Sequence, residues 1–131
     1  MSDVGADHSL AGHVMTVHVD PTGIVRLEWA RGLRITGELA RAAMELVDET
    51  NTGRQRPLLV DMTGTAALTR EARTTFSRRC SASRIALLGR SPVDRVIANF
   101  ALGVSAVPVP TRFFTSEALA TAWLINGATE L

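Results

Sequence analysis

The sequence predicts a single α/β domain built on a mostly parallel sheet. The chain has 131 residues, of which 46% are hydrophobic and 21% are charged, a balance typical of one globular domain. Its first apolar segments alternate with the period of a β-strand, and from Thr36 onward helical and strand-like segments follow one another. Strands separated by helices favour parallel pairing through right-handed crossovers. Residues 1–12 show neither period, so we expect a disordered tail before a domain spanning residues 13–127.

An N-terminal hairpin opens the predicted domain. The segments Val14–Val19 and Ile24–Trp29 each alternate in character from one residue to the next. A period of two residues is the pattern of a half-buried strand. The segment between them, Asp20–Gly23, has the composition of a tight turn. We therefore predict two antiparallel strands joined at this turn.

Helices and strands alternate after the hairpin, which gives the order β-β-α-β-α-β-α-β-α. The predicted strands are two buried segments and a short edge strand that follows two prolines: Pro57–Met62, Ser83–Gly89 and Thr111–Phe114. Four helices are predicted to begin after capping residues or close to them, at Thr36, near Arg70, at Ser91 and at Thr115. Gly53 can end the first helix, and Phe114 and Leu119 are placed to form a hydrophobic staple over the last.

Charge and hydropathy argue against several classes of protein. The net charge is +1, so the chain as a whole has no strong attraction to nucleic acid or to a membrane surface. Its longest uncharged run, residues 96–111, is shorter than the roughly 17 to 25 residues of a membrane span and contains two prolines. The single Cys80 cannot form an intrachain disulfide, and the first residues lack the pattern of a secretory signal. We expect a soluble, cytoplasmic protein that does not bind membranes.

The segment "LVDMTGT", Leu59–Thr65, is close to the D-K-T-G-T phospho-acceptor loop of haloacid dehalogenases and P-type ATPases. Such a site implies a downstream lysine and further acidic residues that hold magnesium. The chain contains no lysine, and few acidic residues follow Glu71. Without these groups the transferring phosphoryl group has no evident source of stabilisation. We therefore interpret Asp61 as the end of a strand, where its carboxylate accepts hydrogen bonds from a turn that includes Thr63.

The order of elements and the residues around Asp61 resemble the STAS domain, the fold of bacterial anti-sigma factor antagonists, and the wider SpoIIAA-like superfamily. The resemblance rests on "LVDMTGTAALTREARTTF", residues 59–76, and on "RFFTSEALATAWL", residues 112–124. It implies an α/β fold and a regulatory role in binding other proteins, without catalysis. When Asp61 is aligned with the aspartate that ends the corresponding strand in the family, Arg70 occupies the place of the family's phosphorylated serine. The serine switch is therefore missing. Thr69 beside Arg70 can be a phosphorylation site or an N-cap, and we favour the N-cap.

The histidines and the arginine-rich segment are the other candidates for a binding site. His8, His13 and His18 lack a carboxylate or thiolate cluster, so we expect neither a metal site nor a cofactor. Residues 70–95 contain seven arginines against two acidic residues, a basic surface that can attract an acidic partner or pair with the acidic first helix of the same or another subunit. Binding of nucleic acid is not expected, because aromatic residues are few and no recognition motif is present.

The expected function is that of a non-catalytic interaction domain with an unidentified protein partner. The candidate binding residues share a place at strand ends or helix starts, or lie on the basic second helix: Asp61, Thr63, Thr69, Arg70, Arg73 and Ser91. Ser91 opens a helix after a strand, where free amides favour anions. Exposed apolar residues in the third helix, with Phe100 and Leu102 as candidates, suggest a homodimer or ordinary packing. The alternative function is binding of a small apolar or anionic ligand near Arg70, Ser91 and Phe114.

Overall fold

A computed structural model describes residues 14–78, 80–103 and 109–126. The elements in chain order are β1 (Met15–Val19), β2 (Val25–Trp29), β3 (Arg34–Ile35), α1 (Gly37–Asn51), β4 (Arg56–Asp61), β5 (Ala67–Leu68), α2 (Arg70–Phe76), β6 (Ala82–Leu88), α3 (Pro92–Gly103), β7 (Thr111–Phe114) and α4 (Glu117–Asn126). The predicted tail, residues 1–12, lies outside the described residues. Among those residues, no helix combines the length and the apolar character needed to cross a membrane.

Five strands form one sheet in the order β1-β2-β4-β6-β7. β1 and β2 pair antiparallel, and each later neighbour pairs parallel. This arrangement confirms the predicted opening hairpin and the mostly parallel sheet. β7 lies at the edge, as its preceding prolines predicted, since a proline has no N–H to donate to a second neighbour.

Helices cover both faces of the sheet, which is why its central strands are nearly continuously apolar. One face packs under α1, α2 and α3, and its core includes Leu27, Val60 and Met62. The other face packs under α4, where Leu59 and Trp123 belong to a second cluster. Phe114 joins this second cluster, with its ring centroid 5.5 Å from that of Trp123.

Most of the predicted helix starts agree with the structure. The hydroxyl of Thr36 accepts a hydrogen bond from the Leu39 amide, 3.3 Å away, and so caps α1. The predicted cap of the last helix is wrong by one residue. The helix begins at Glu117, and the hydroxyl of Ser116 rather than Thr115 accepts from the Leu119 amide. The predicted staple is lost with this shift, and Leu119 points outward with 65% of its surface exposed.

A second, two-stranded sheet was not predicted from the sequence. It consists of the parallel strands β3 and β5, which pair Arg34 with Ala67 and Ile35 with Leu68. Each strand has only two residues, too few to show the period of a strand. The small sheet fixes the segment that connects β4 to α2, and therefore the place where α2 starts.

An ion cluster ties the hairpin to the opposite end of the chain. Arg26 Nε lies 3.0 Å from Asp20 Oδ2, and Arg26 Nη1 lies 2.8 Å from Glu117 Oε2. Asp20 also accepts hydrogen bonds from the backbone N–H groups of Thr22 and Ile24. Burial raises the pKa of Asp20, but these donors and Arg26 outweigh it and lower the pKa to about 2. The cluster holds the hairpin turn against the first turn of α4.

Candidate functional site

The carboxyl end of β4 continues into a tightly bonded loop. The carboxylate of Asp61 accepts a hydrogen bond from the Thr63 amide at 3.0 Å, which is the turn geometry expected of a strand terminator. Gly64 follows with φ of +75°, a conformation that glycine adopts without steric cost. The hydroxyls of Thr63 and Thr65 are buried, and neither has a hydrogen-bond partner among the described residues.

Asp94 joins this loop to the start of α3. Its side chain is 1% exposed, and its Oδ1 accepts from the Gly64 amide at 3.1 Å. Its Oδ2 accepts from the amides of Arg90 at 2.8 Å and Ser91 at 3.2 Å. In return, the Ser91 hydroxyl accepts from the Asp94 amide at 3.0 Å, which completes a capping box. Burial raises the pKa of Asp94, but the backbone N–H groups of Arg90, Ser91 and Gly64 outweigh it and hold the pKa below its ordinary value.

The capping box bears on the expected anion site at Ser91. An external anion at the start of α3 would need free backbone amides. The carboxylate of Asp94 already occupies the amides of Arg90 and Ser91, and the Ser91 hydroxyl is engaged as well. Ser91 therefore serves as a helix cap in this structure.

The three candidate residues on α2 have different surroundings. Thr69 is the N-cap, because its hydroxyl accepts from the Ala72 amide at 3.1 Å. Arg70, the first helical residue, is exposed. Arg73 is half-buried, and its guanidinium lies 4.3 Å from the ring centroid of Phe100 on α3. Arg73 therefore connects the arginines of α2 with the surface of α3.

The outer face of α3 presents three apolar side chains in a row, which we call the α3 stripe: Val93, Val96 and Phe100. They are 59%, 65% and 38% exposed, and their spacing of three and four residues places them on one side of the helix. Of the two candidates named from the sequence, Phe100 is exposed, whereas Leu102 is half-buried. Arg73 flanks the stripe on the α2 side, and Arg95 stacks over Phe113, 4.8 Å from its centroid, on the β7 side.

The core under α1, α2 and α3 contains an apolar cavity of about 100 Å³. Its lining includes Trp29, Met44, Val60, Phe76 and Ile97. Neither Arg70, Ser91 nor Phe114 is among its lining residues, so this cavity lies elsewhere than the ligand region expected from the sequence. Phe114 in particular belongs to the cluster on the opposite face of the sheet.

The structure thus divides the six candidate residues into two groups. The first group lies at the strand ends, in or beside the capping box that Ser91 and Asp94 form, which we call the Asp94 box: Asp61, Thr63 and Ser91. The other group, Thr69, Arg70 and Arg73, lies on α2. Within the described parts of the chain, no three His, Cys, Asp or Glu side chains are grouped as metal ligands would be.

Two functional features were missed from the sequence alone. The role of Asp94 carried a signal, since Ser-x-x-Asp at residues 91–94 is the spacing of a capping box. The cavity carried none, because its lining comes from separate strands and helices whose packing no local pattern encodes.

These features define an α/β domain with a buried carboxylate at the strand ends and an exposed apolar face on α3. A protein of the DUF3478 family from Shewanella loihica PV-4, described as having a SpoIIAA-like fold, matches with a TM-score of 0.55 and 18% identity, over 85% of this chain and 92% of that one. The chain belongs to the family described as Domain of unknown function (DUF7793), which it matches over residues 17–127.

A second solved structure is similar in sequence. It is a protein with unknown function from Arthrobacter sp. FB24, 54% identical, with coverage of 82% of this chain and 90% of that chain and a TM-score of 0.36. A search of curated proteins gives no match. The fold predicted from the STAS-like residues is confirmed by the Shewanella neighbour, and that likeness concerns the fold alone.

Proposed function

We propose that this domain is a non-catalytic interaction module that docks an acidic, amphipathic segment of a partner protein on the α3 stripe. The observation that carries the proposal is the row of Val93, Val96 and Phe100, exposed on one helix face and flanked by Arg73 and Arg95. Exposed apolar residues grouped in this way are typical of interaction surfaces.

The flanking charges determine the chemistry of the partner. Each of the two guanidiniums lies over an aromatic ring, and its N–H groups can still donate to carboxylates. The ion pairs found among the described residues do not involve Arg73 or Arg95. A partner helix with apolar residues on one side and acidic residues along both margins complements this surface.

The absence of catalysis is part of the proposal. The Asp61 carboxylate accepts from its own turn, and the Asp94 carboxylate is saturated by backbone amides. A nucleophile and a base within hydrogen-bond reach of each other are required for most covalent chemistry. Turnover of any substrate that Asp61→Asn abolishes in a folded protein would contradict this part.

The test compares partner capture by matched charge insertions. Val96→Glu places a carboxylate in the centre of the stripe, and Leu119→Glu is the control, because Leu119 is equally exposed at 65% but lies on α4. Affinity capture from the native cell, quantified by mass spectrometry, is expected to lose specific partners with Val96→Glu and with Arg73→Glu, but not with Leu119→Glu. Captured partners are expected to release at high salt.

Two results would count against the proposal. Unchanged capture by Val96→Glu would remove the stripe from consideration. Self-association of the purified chain in analytical ultracentrifugation, abolished by Val96→Glu, would show that a second copy covers the stripe, and the acidic partner would then be wrong.

A further inference from the structure

The cavity under α1, α2 and α3 has a chemical character distinct from the surface on α3. Its described lining is almost wholly apolar and contains no charged side chain. The lining side chains that carry a polar group are Cys80, Thr65, Thr111 and Trp29, the last through its indole N–H. Burial raises the pKa of the Cys80 thiol, which keeps it neutral, and the Thr111 hydroxyl donates to the Val109 carbonyl at 3.0 Å.

Thr65 supplies one unpaired hydrogen-bonding group to this cavity. Its side chain lines the cavity, is 2% exposed, and its Oγ1 has no partner among the described residues. A buried hydroxyl without a partner is unfavourable, and native proteins rarely retain one without a reason.

The cavity is small, and part of its lining reaches solvent. The cavity of about 100 Å³ is somewhat smaller than the roughly 150 Å³ apolar cavities that stay dry and bind benzene. Several of its lining residues, Met44 and Phe76 among them, are half-buried and therefore also reach solvent. Methionine is flexible, so movement of Met44 can open a path to the cavity without disturbing the sheet.

We propose that the cavity binds a small uncharged apolar molecule, no larger than a benzene ring with one polar group, whose hydroxyl or carbonyl pairs with Thr65 Oγ1. Apolar contact with Trp29, Val60 and Ile97 supplies most of the affinity. The hydroxyl of Thr65 supplies selectivity, because a ligand lacking a polar group leaves it unpaired. An anionic ligand does not fit, since none of the described lining residues can neutralise its charge.

The experiment uses phenol and benzene as probes, because both are aromatic molecules of similar size and only one has a hydroxyl. The full chain is labelled with 5-fluorotryptophan, which reports separately on Trp29 in the cavity and on Trp123 on the other face of the sheet. Trp123→Phe assigns the two ¹⁹F signals. Both probes are expected to shift the Trp29 signal and leave Trp123 unchanged, with phenol binding about 3- to 10-fold more tightly, the contribution of one net hydrogen bond.

Thr65→Val tests the named group without changing its shape. This variant is expected to bind benzene at least as well as the wild type and to lose the preference for phenol. Benzene binding also shows that the cavity persists in the variant. The proposal is overturned if neither probe shifts Trp29 up to its solubility limit, if both tryptophans shift together, or if Thr65→Val retains the preference.

A final variant separates this proposal from the docking function. Val96→Glu alters the outer face of α3, whereas the cavity is reached by Ile97 on the inner face. We expect Val96→Glu to bind phenol with wild-type affinity. Loss of phenol binding in this variant, with the fold intact by circular dichroism, would contradict the separation of the two sites.

Discussion

Replacement of Asp94 by asparagine tests the role of the buried carboxylate. In the wild type, Oδ2 accepts from two amides, those of Arg90 and Ser91, and Oδ1 accepts from the Gly64 amide at 3.1 Å. An asparagine side chain has one acceptor oxygen and one NH₂ group. If its oxygen faces Arg90 and Ser91, its NH₂ faces the Gly64 amide, and two donors meet at hydrogen-bond distance.

The magnitude follows from these contacts. A hydrogen bond to a charged acceptor contributes about 1.5 to 3 kcal/mol, and a neutral one about half of that. Asp94→Asn loses one charge-assisted bond outright, weakens two, and leaves the Gly64 amide unpaired. Burial of a neutral amide is easier than burial of a carboxylate, which offsets part of the loss. We expect the free energy of unfolding to fall by about 2 to 4 kcal/mol.

Urea unfolding followed by tryptophan fluorescence measures this change, with Asp61→Asn as the matched control. Asp61 accepts one described backbone bond, from Thr63, which the asparagine oxygen can keep, so we expect a loss below about 1 kcal/mol. Because the folded pKa of Asp94 is lowered, its contribution is fully present above the unfolded pKa of about 3.9 and is lost as the pH falls through the folded value.

The loss of unfolding free energy caused by Asp94→Asn, which we call the deficit, should therefore be largest near neutral pH and become smaller below about pH 4. An Asp94→Asn protein as stable as Asp61→Asn at pH 7 would refute the reasoning. A deficit that stays constant down to pH 2 would refute the assignment to the charged carboxylate.

Two further substitutions have expected outcomes. Gly89→Ala should destabilise by about 1 to 3 kcal/mol in urea unfolding, because a Cβ there would lie 2.7 Å from Asp94 Cβ and 2.9 Å from Phe113 Cε1, and an unchanged midpoint would contradict this packing. Asp20→Asn should destabilise by about 1 kcal/mol above pH 4, after allowance for solvent screening of its pair with Arg26. The lowered pKa of Asp20 predicts that this difference disappears as the pH falls from 4 toward 2, and a difference that persists there would exclude the ion cluster as its cause.

The fold was predictable because most of its elements repeat a local pattern. Alternation in β1 and β2, capping residues such as Thr36 and Thr69, and the apolar run of β4 each depend on neighbouring residues alone. The elements β3 and β5 were missed because each has two residues and is defined by its partner strand. The error at Ser116 has a similar cause, since adjacent Thr and Ser are both good N-caps and tertiary packing decides between them.

The candidate sites were less predictable, because they depend on contacts between distant segments. Arg73 and Phe100 are separated by 27 positions, and only the packing of α2 beside α3 stacks one upon the other. The helical spacing of the apolar residues Val93, Val96 and Phe100 was visible in the sequence. The exposure of these side chains depends on which side of α3 faces the sheet. The apolar residues of α3 lie on its exposed as well as its buried side, so their spacing alone does not identify the side that faces the sheet.

The loop at residues 61–65 shows how a motif can suggest one chemistry and serve another. Its sequence, Asp-Met-Thr-Gly-Thr, resembles a phospho-acceptor loop, yet the Asp61 carboxylate accepts from its own turn. Gly64 is needed for its positive φ and for an amide that reaches Asp94, which binds the loop to α3. Thr65 then faces the cavity with an unpaired hydroxyl. Because the Asp94 box fixes the position of Gly64, it also fixes that of Thr65, so the network that closes the strand end orients the group proposed to select a ligand.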